Sequence, residues 1–126
     1  MTSPGPGSRP AHGQVYYLEL PAGEVSRSAA FYTSVFGWEA GARGGSGFSA
    51  PGMIGNWVTD RGPAAADAGP VLWICVDGID DALAQAQVHG GTVVDQPHLD
   101  GGGTRWRATV RDPAGNLVGL FQVGPR

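Results

Sequence analysis

Few side chains in this 126-residue sequence could do chemistry, and their settings limit what that chemistry is. Glu19 lies in Val15-Tyr-Tyr-Leu-Glu-Leu20, whose alternation reads as a strand with Val15, Tyr17 and Glu19 on one face and Tyr16, Leu18 and Leu20 on the other. A carboxylate placed so is either an exposed charge on a solvated sheet face or, once enclosed, a general base. Cys75 stands alone, which excludes an internal disulfide and any four-cysteine zinc site. Of the three histidines, His12 lies in a Pro/Gly/Ser-rich tail, His89 in the last turn of a helix and His98 in a loop. A preorganised metal or catalytic site belongs on rigid facing strands instead. Every basic residue is arginine, so neither Schiff-base catalysis nor the lysine of a phosphate-binding P-loop is open to this chain. With a net charge of −3 and scattered arginines there is no basic stripe for a nucleic acid.

The elements that must position these groups are written twice. Glu24 to Glu39, EVSRSAAFYTSVFGWE, places Val25, Ala29, Tyr32 and Phe36 at helical spacing, with Gly37 as the stop and Trp38 opening an extended segment. The same order returns in the second half. Val71–Val76 reads as a strand, Ile79, Ala82, Leu83 and Ala86 form a helical stripe, and Gly90-Gly91 stops it. Glu24 then aligns with Asp77, Ala29 with Ala82, Val35 with Val88 and Gly37 with Gly90, which indicates a duplicated unit. Asp77, Asp80 and Asp81 complement the positive end of the second helix, and His89 its negative end.

After the first helix, Trp38–Ala42 and Gly47–Ala50 read as a hairpin around a glycine-rich turn, and Gly52–Thr59 as a third extended piece. Thr59–Gly69 is a turn-rich connector. In the second unit Thr92–Asp95 reads as a short strand, Gln96–Gly103 as a loop carrying His98, and Arg105–Arg111 as a strand with Trp106, Ala108 and Val110 on one face. Asp112-Pro-Ala-Gly-Asn116 is a turn, and Leu117–Val123 closes the sheet. Residues 1–13 are expected to be a flexible tail, and residues 14–123 one domain with units at about 14–60 and 70–123. No apolar run approaches the ~18 residues of a membrane span, and no charged-then-apolar leader is present, so a cytoplasmic protein without a membrane partner is expected.

FYTSVFGW in the first unit and DPAGNLVGLF at the end of the second resemble the vicinal oxygen chelate superfamily, which includes glyoxalase I, extradiol dioxygenases and bleomycin-resistance proteins. The tail DPAGNLVGLFQ is most similar to a glyoxalase-like subgroup of actinobacterial proteins. The resemblance implies an α+β fold in which two βαβββ units curl around a cavity, with the helices outside. It assigns Val15, Tyr17 and Glu19 to the cavity, along with Val71, Trp73 and Cys75, Leu117, Gly119 and Phe121, and Gly55 and Trp57 from the fourth strand. The metal-ligand positions of the superfamily's metalloenzymes fall on Tyr17, Gly55, Val71 and Gly119. Glycine and valine offer no ligand, and a neutral tyrosine is a poor one, so neither metal nor other cofactor is expected.

What the resemblance leaves is an aromatic lining, Tyr17, Trp57, Trp73 and Phe121, with Glu19 as the cavity's acid and Arg107 as its partner or as an anchor for an anionic ligand. Trp38 and Trp106 read as core. The leading functional reading is a non-metal protein that sequesters a planar or amphipathic small molecule. The alternatives are an enzyme of lyase, isomerase or dioxygenase type using Glu19 as general base, an enzyme with a relocated metal site, and a module whose cavity is filled by side chains. Open strand edges also make a homodimer the expected assembly.

Overall fold

A computed structural model describes residues 9–41, 45–65 and 68–126. The first unit comprises β1 (Tyr17–Pro21), α1 (Val25–Phe36), β2 (Glu39–Ala40), β3 (Gly47–Ala50) and β4 (Met53–Val58). The second comprises β5 (Leu72–Cys75), α2 (Ile79–Val88), β6 (Thr92–Leu99), β7 (Arg105–Arg111) and β8 (Leu117–Val123). Each unit makes a four-stranded mixed sheet, in the orders β1-β4-β3-β2 and β5-β8-β7-β6. The parallel pairs β1–β4 and β5–β8 occupy equivalent places, so the α+β duplication expected from the sequence is present strand for strand.

The expected tail lies outside the described residues up to residue 8, and a turn closed by Gln14 N–H on the Ala11 carbonyl precedes β1. Ala42 and Gly44, part of the expected hairpin turn, also lie outside them, but β2 and β3 pair antiparallel as a hairpin requires. The largest departure from expectation is β6, which runs on to Leu99 through Gln96 and Pro97, where the sequence suggests a loop. Its pairing with β7 is irregular around Asp95, and it is an edge strand. An edge tolerates a proline that would break a central strand.

One continuous core spans both units, and its two ends differ in kind. Under α1 it is aromatic. Tyr32 stacks on Trp38 at 4.8 Å, Trp38 on Phe48 at 5.1 Å, and Phe48 packs on Trp57 at 4.7 Å. Under α2 lie Ile79, Ala82, Leu83, Ala86, Ala108, Val110, Val118 and Leu120, all buried. The α2 stripe is the one the sequence shows. The α1 stripe is shifted: Ser28, Phe31 and Tyr32 are the buried residues, while Val25, Ala29 and Phe36 are only partly covered. The reason is that α1 also packs on α2. Phe31 reaches so far into the second unit that a Cβ on Gly91 would come within 2.7 Å of its ring. Gly37 ends α1 with φ 74°, a left-handed conformation that a β-branched residue resists.

A polar clamp joins the units. The buried Asp112 carboxylate accepts bonds from the Tyr32 hydroxyl (2.7 Å), the Asn116 side chain (2.8 Å), and the backbone N–H groups of Ala114 and Asn116 (2.9 Å each). Asn116 donates a further bond to the Pro21 carbonyl at 2.7 Å. Thus the DPAGN turn of the second unit is bonded to the helix and the first strand of the other.

Burial first, and then the adjacent Asp112 charge and hydrogen bond, push the Tyr32 hydroxyl well above the ordinary tyrosine range. Because the folded state holds this proton more tightly than the unfolded chain, the linked stability is complete below the unfolded pKa near 10.0 and is lost as pH rises above it. With no lysine to titrate nearby, the effect is readable. Thermal midpoints measured above about pH 10 should fall more steeply for the wild type than for Tyr32→Phe. Parallel slopes would show that Tyr32 is not the linked group.

Candidate functional site

The face of the second sheet turned away from α2 carries the candidate site. Strand register sets its membership. Trp73 lies beside Gly119 and Cys75 beside Phe121 across β5–β8, while Arg107 lies opposite Phe121 and Thr109 opposite Gly119 across β7–β8. Trp106, Ala108 and Val110 take the other face, as the alternation in the sequence indicates. The Trp73 indole lies over Gly119, so closely that a Cβ there would sit 2.2 Å from the ring. Arg107 places its guanidinium carbon 4.2 Å from the indole centroid, within cation–π range. Together with Phe121, Asp100 and Arg105, these two side chains line an open basin of about 280 Å³. Trp73 remains 36% exposed.

Tyr17 and Glu19 are exposed on the corresponding face of the first sheet, alongside Ile54 and Asn56. Glu19 is paired with Arg61 of the connector, a partner the sequence gives no means to choose, and not with Arg107. Its side chain is 42% exposed, so it is not a carboxylate in a dry pocket. Glu19 and Arg61 border a second depression, about 470 Å³, whose other wall includes Val71 and Leu117 of the second unit.

One expected face assignment is corrected. Trp57 pairs in register with Leu20, and Gly55 with Leu18, so both face α1. Trp57 is 2% exposed and belongs to the aromatic core, against Tyr32 and Phe48. The expected cavity face is the one the family resemblance implies, and the pattern of Met53-Ile-Gly-Asn-Trp-Val58, with apolar residues on both parities, offers nothing to correct it. The gap at Gly55 is filled by Phe48. Conversely, His98 lies on β6 directly opposite Arg107, next to the basin, where the sequence places it in a loop. Pro97 hides that strand.

The residues at the metalloenzyme positions do not suit a metal ion. Tyr17, Val71 and Gly119 present a phenol, an isopropyl group and no side chain. Gly55 points to the helix side, leaving Ile54 and Asn56 on the outer face, and the indole of Trp73 covers Gly119. Among the described residues no three His, Cys, Asp or Glu side chains gather where they could hold a metal.

The sequence profile of the "Glyoxalase/Bleomycin resistance protein/Dioxygenase superfamily" matches residues 14–120. Over 121 residues the chain is 32% identical to "Putative glyoxylase CFP32" of Mycobacterium tuberculosis, covering 88% of this chain and 46% of that one. It is 31% identical to the "Anthracycline biosynthesis protein DnrV" of Streptomyces peucetius, covering 93% and 50%. The chain therefore spans about half the length of these curated relatives. Among solved structures, a glyoxalase-related enzyme from Fulvimarina pelagi superposes with a TM-score of 0.68 at 21% identity, covering 87% of this chain and 88% of that one. A glyoxalase/bleomycin resistance protein/dioxygenase family enzyme from Burkholderia phytofirmans gives 0.67 at 18%, covering 89% and 100%. At these identities the structures speak for the fold alone, and it is by the sequence profile, which matches residues 14–120, that this chain belongs to the glyoxalase/bleomycin resistance protein/dioxygenase superfamily.

Proposed function

We propose that the chain is a cytoplasmic, homodimeric small-molecule-binding protein that holds a planar or amphipathic ligand on the Trp73–Phe121 face without a metal. The observation that carries this is the half-open basin in which Arg107 lies 4.2 Å over an indole that remains 36% exposed. Flat apolar walls with one polar anchor are the usual makings of a ligand site. A relative named for anthracycline biosynthesis, the chemistry of planar polycyclic molecules, supports the same reading. The enzyme reading, with Glu19 as general base or a relocated metal, is less favoured because Glu19 is exposed and already paired with Arg61.

Denaturant melts and ligand titration test the proposal together. Ile74 packs against the core, so Ile74→Ala should cost about 2–5 kcal/mol. Trp73→Ala, though it removes a larger side chain, should cost less and should weaken fluorescence quenching by an added anthracycline. If Trp73→Ala is the more damaging variant, the open-site reading falls. Light scattering on the same wild-type samples should give the mass of two chains, and a monomer mass at micromolar concentration would remove the pairing. Fractionation of cells expressing the protein should leave it with the cytoplasmic contents.

A further inference from the structure

Charge in the basin is not balanced. Asp100 is committed to its own turn and to Arg105. Its Oδ1 accepts the Thr104 N–H at 3.1 Å and the Arg105 N–H at 3.4 Å, and its Oδ2 lies 3.8 Å from the Arg105 guanidinium. These bonds, that from Thr104 foremost, hold its carboxyl below the ordinary range, so it stays ionised and offsets Arg105. Arg107 has no such counterpart. Among the described residues, no carboxylate lies within 4.0 Å of its guanidinium. Its cross-strand neighbours on this face are Phe121 and His98, and His98 can add only positive charge.

We infer that the basin takes a small aromatic carboxylate, with Arg107 pairing to the acid while the ring lies against Phe121. This rests on the small-molecule-binding reading above and narrows it. The Arg107 guanidinium is held over the indole by cation–π attraction, which leaves its N–H groups unpaired and a fork available to a planar acid. A carboxylate meets that fork with two parallel charge-assisted bonds. The surplus on Arg107 is one charge, which a monoanion cancels. The basin volume of about 280 Å³ lies at the foot of the usual range for drug-sized ligands, so it suits one or two rings. Trp73 acts as a positioning residue for Arg107 in this arrangement.

The test compares 1-naphthoate with its neutral analogue 1-naphthalenemethanol in NMR titrations of the whole chain, read at the Trp73 indole N–H. Naphthoate should bind about tenfold or more tightly than the alcohol, and Arg107→Gln should abolish that preference. Equal affinities on the wild type overturn the inference and leave the binding reading standing, and this comparison needs no variant to fold. An Arg107→Gln protein that keeps the preference for naphthoate does the same. Shifts caused by naphthoate only at residues away from the basin also overturn it. If neither compound perturbs the basin, both the inference and the binding reading fail.

Discussion

Asp112→Ala should be among the most destabilising single substitutions in the chain, costing about 3–5 kcal/mol. The side chain is 3% exposed and accepts four hydrogen bonds, so its removal strands the Tyr32 hydroxyl, the Asn116 amide and two backbone N–H groups at once. Each buried donor left without an acceptor carries a desolvation penalty of about 1–3 kcal/mol, and a water admitted to the space would recover only part of it. The loss is also structural. The Asp112 carboxylate shapes the turn between β7 and β8 and orients Asn116 toward Pro21. Asp60, exposed in the connector, makes a suitable control, and Asp60→Ala should change stability by at most about 0.5 kcal/mol. Chemical denaturation of both variants decides the matter. Similar unfolding midpoints would mean that the clamp contributes little.

The second large effect comes from setting two glycines side by side. A Cβ at Gly55 and a Cβ at Gly119 would each come within 2.2 Å of an aromatic ring, yet the consequences should differ sharply. At Gly55 the ring belongs to Phe48, fully buried in the aromatic core, and the Leu18 backbone carbonyl lies at the same 2.2 Å. Neither can move without parting β1 from β4 or expelling Phe48, so Gly55→Ala should cost about 3 kcal/mol or more. At Gly119 the obstacle is the side chain of Trp73, which borders the open basin and can rotate outward. Gly119→Ala should cost about 1 kcal/mol or less, while displacing the indole from beneath Arg107 and so changing its fluorescence. If Gly119→Ala proves as destabilising as Gly55→Ala, Trp73 is fixed core and the site is closed.

Legibility in the sequence followed the strength of periodic signals. The existence of both helices, the glycine stop of the first, the stripe of the second and the faces of β1 and β7 are readable from stripe or alternation, whereas β5 and β8 are apolar on both parities and their faces come from the family resemblance. The resemblance for Trp73 and Phe121, with alternation for Arg107, puts the three on the one face where the strand register places them. The face of β4 is not readable from alternation, since isoleucine and tryptophan lie on opposite parities, and the family pattern that places Gly55 and Trp57 in the cavity is out of register with this strand. The full extent of β6 was hidden by Pro97, and with it the position of His98 beside Arg107. The pairing of Glu19 with Arg61 joins groups in a strand and a connector with no local rule between them.

The bond from Tyr32 to Asp112 spans 80 positions of sequence, and this sets an order of events as the chain is made. The helix bearing Tyr32 is complete early in synthesis, and its hydroxyl must keep its hydrogen bond to water until the last turn of the other unit exists. Closing so long a loop costs entropy that only native contacts on both sides repay, which places the docking of the two units late. The first unit, however well its aromatic residues stack, is therefore an unfinished half on the ribosome, with an apolar helix face whose remaining cover arrives only once the second unit has been made.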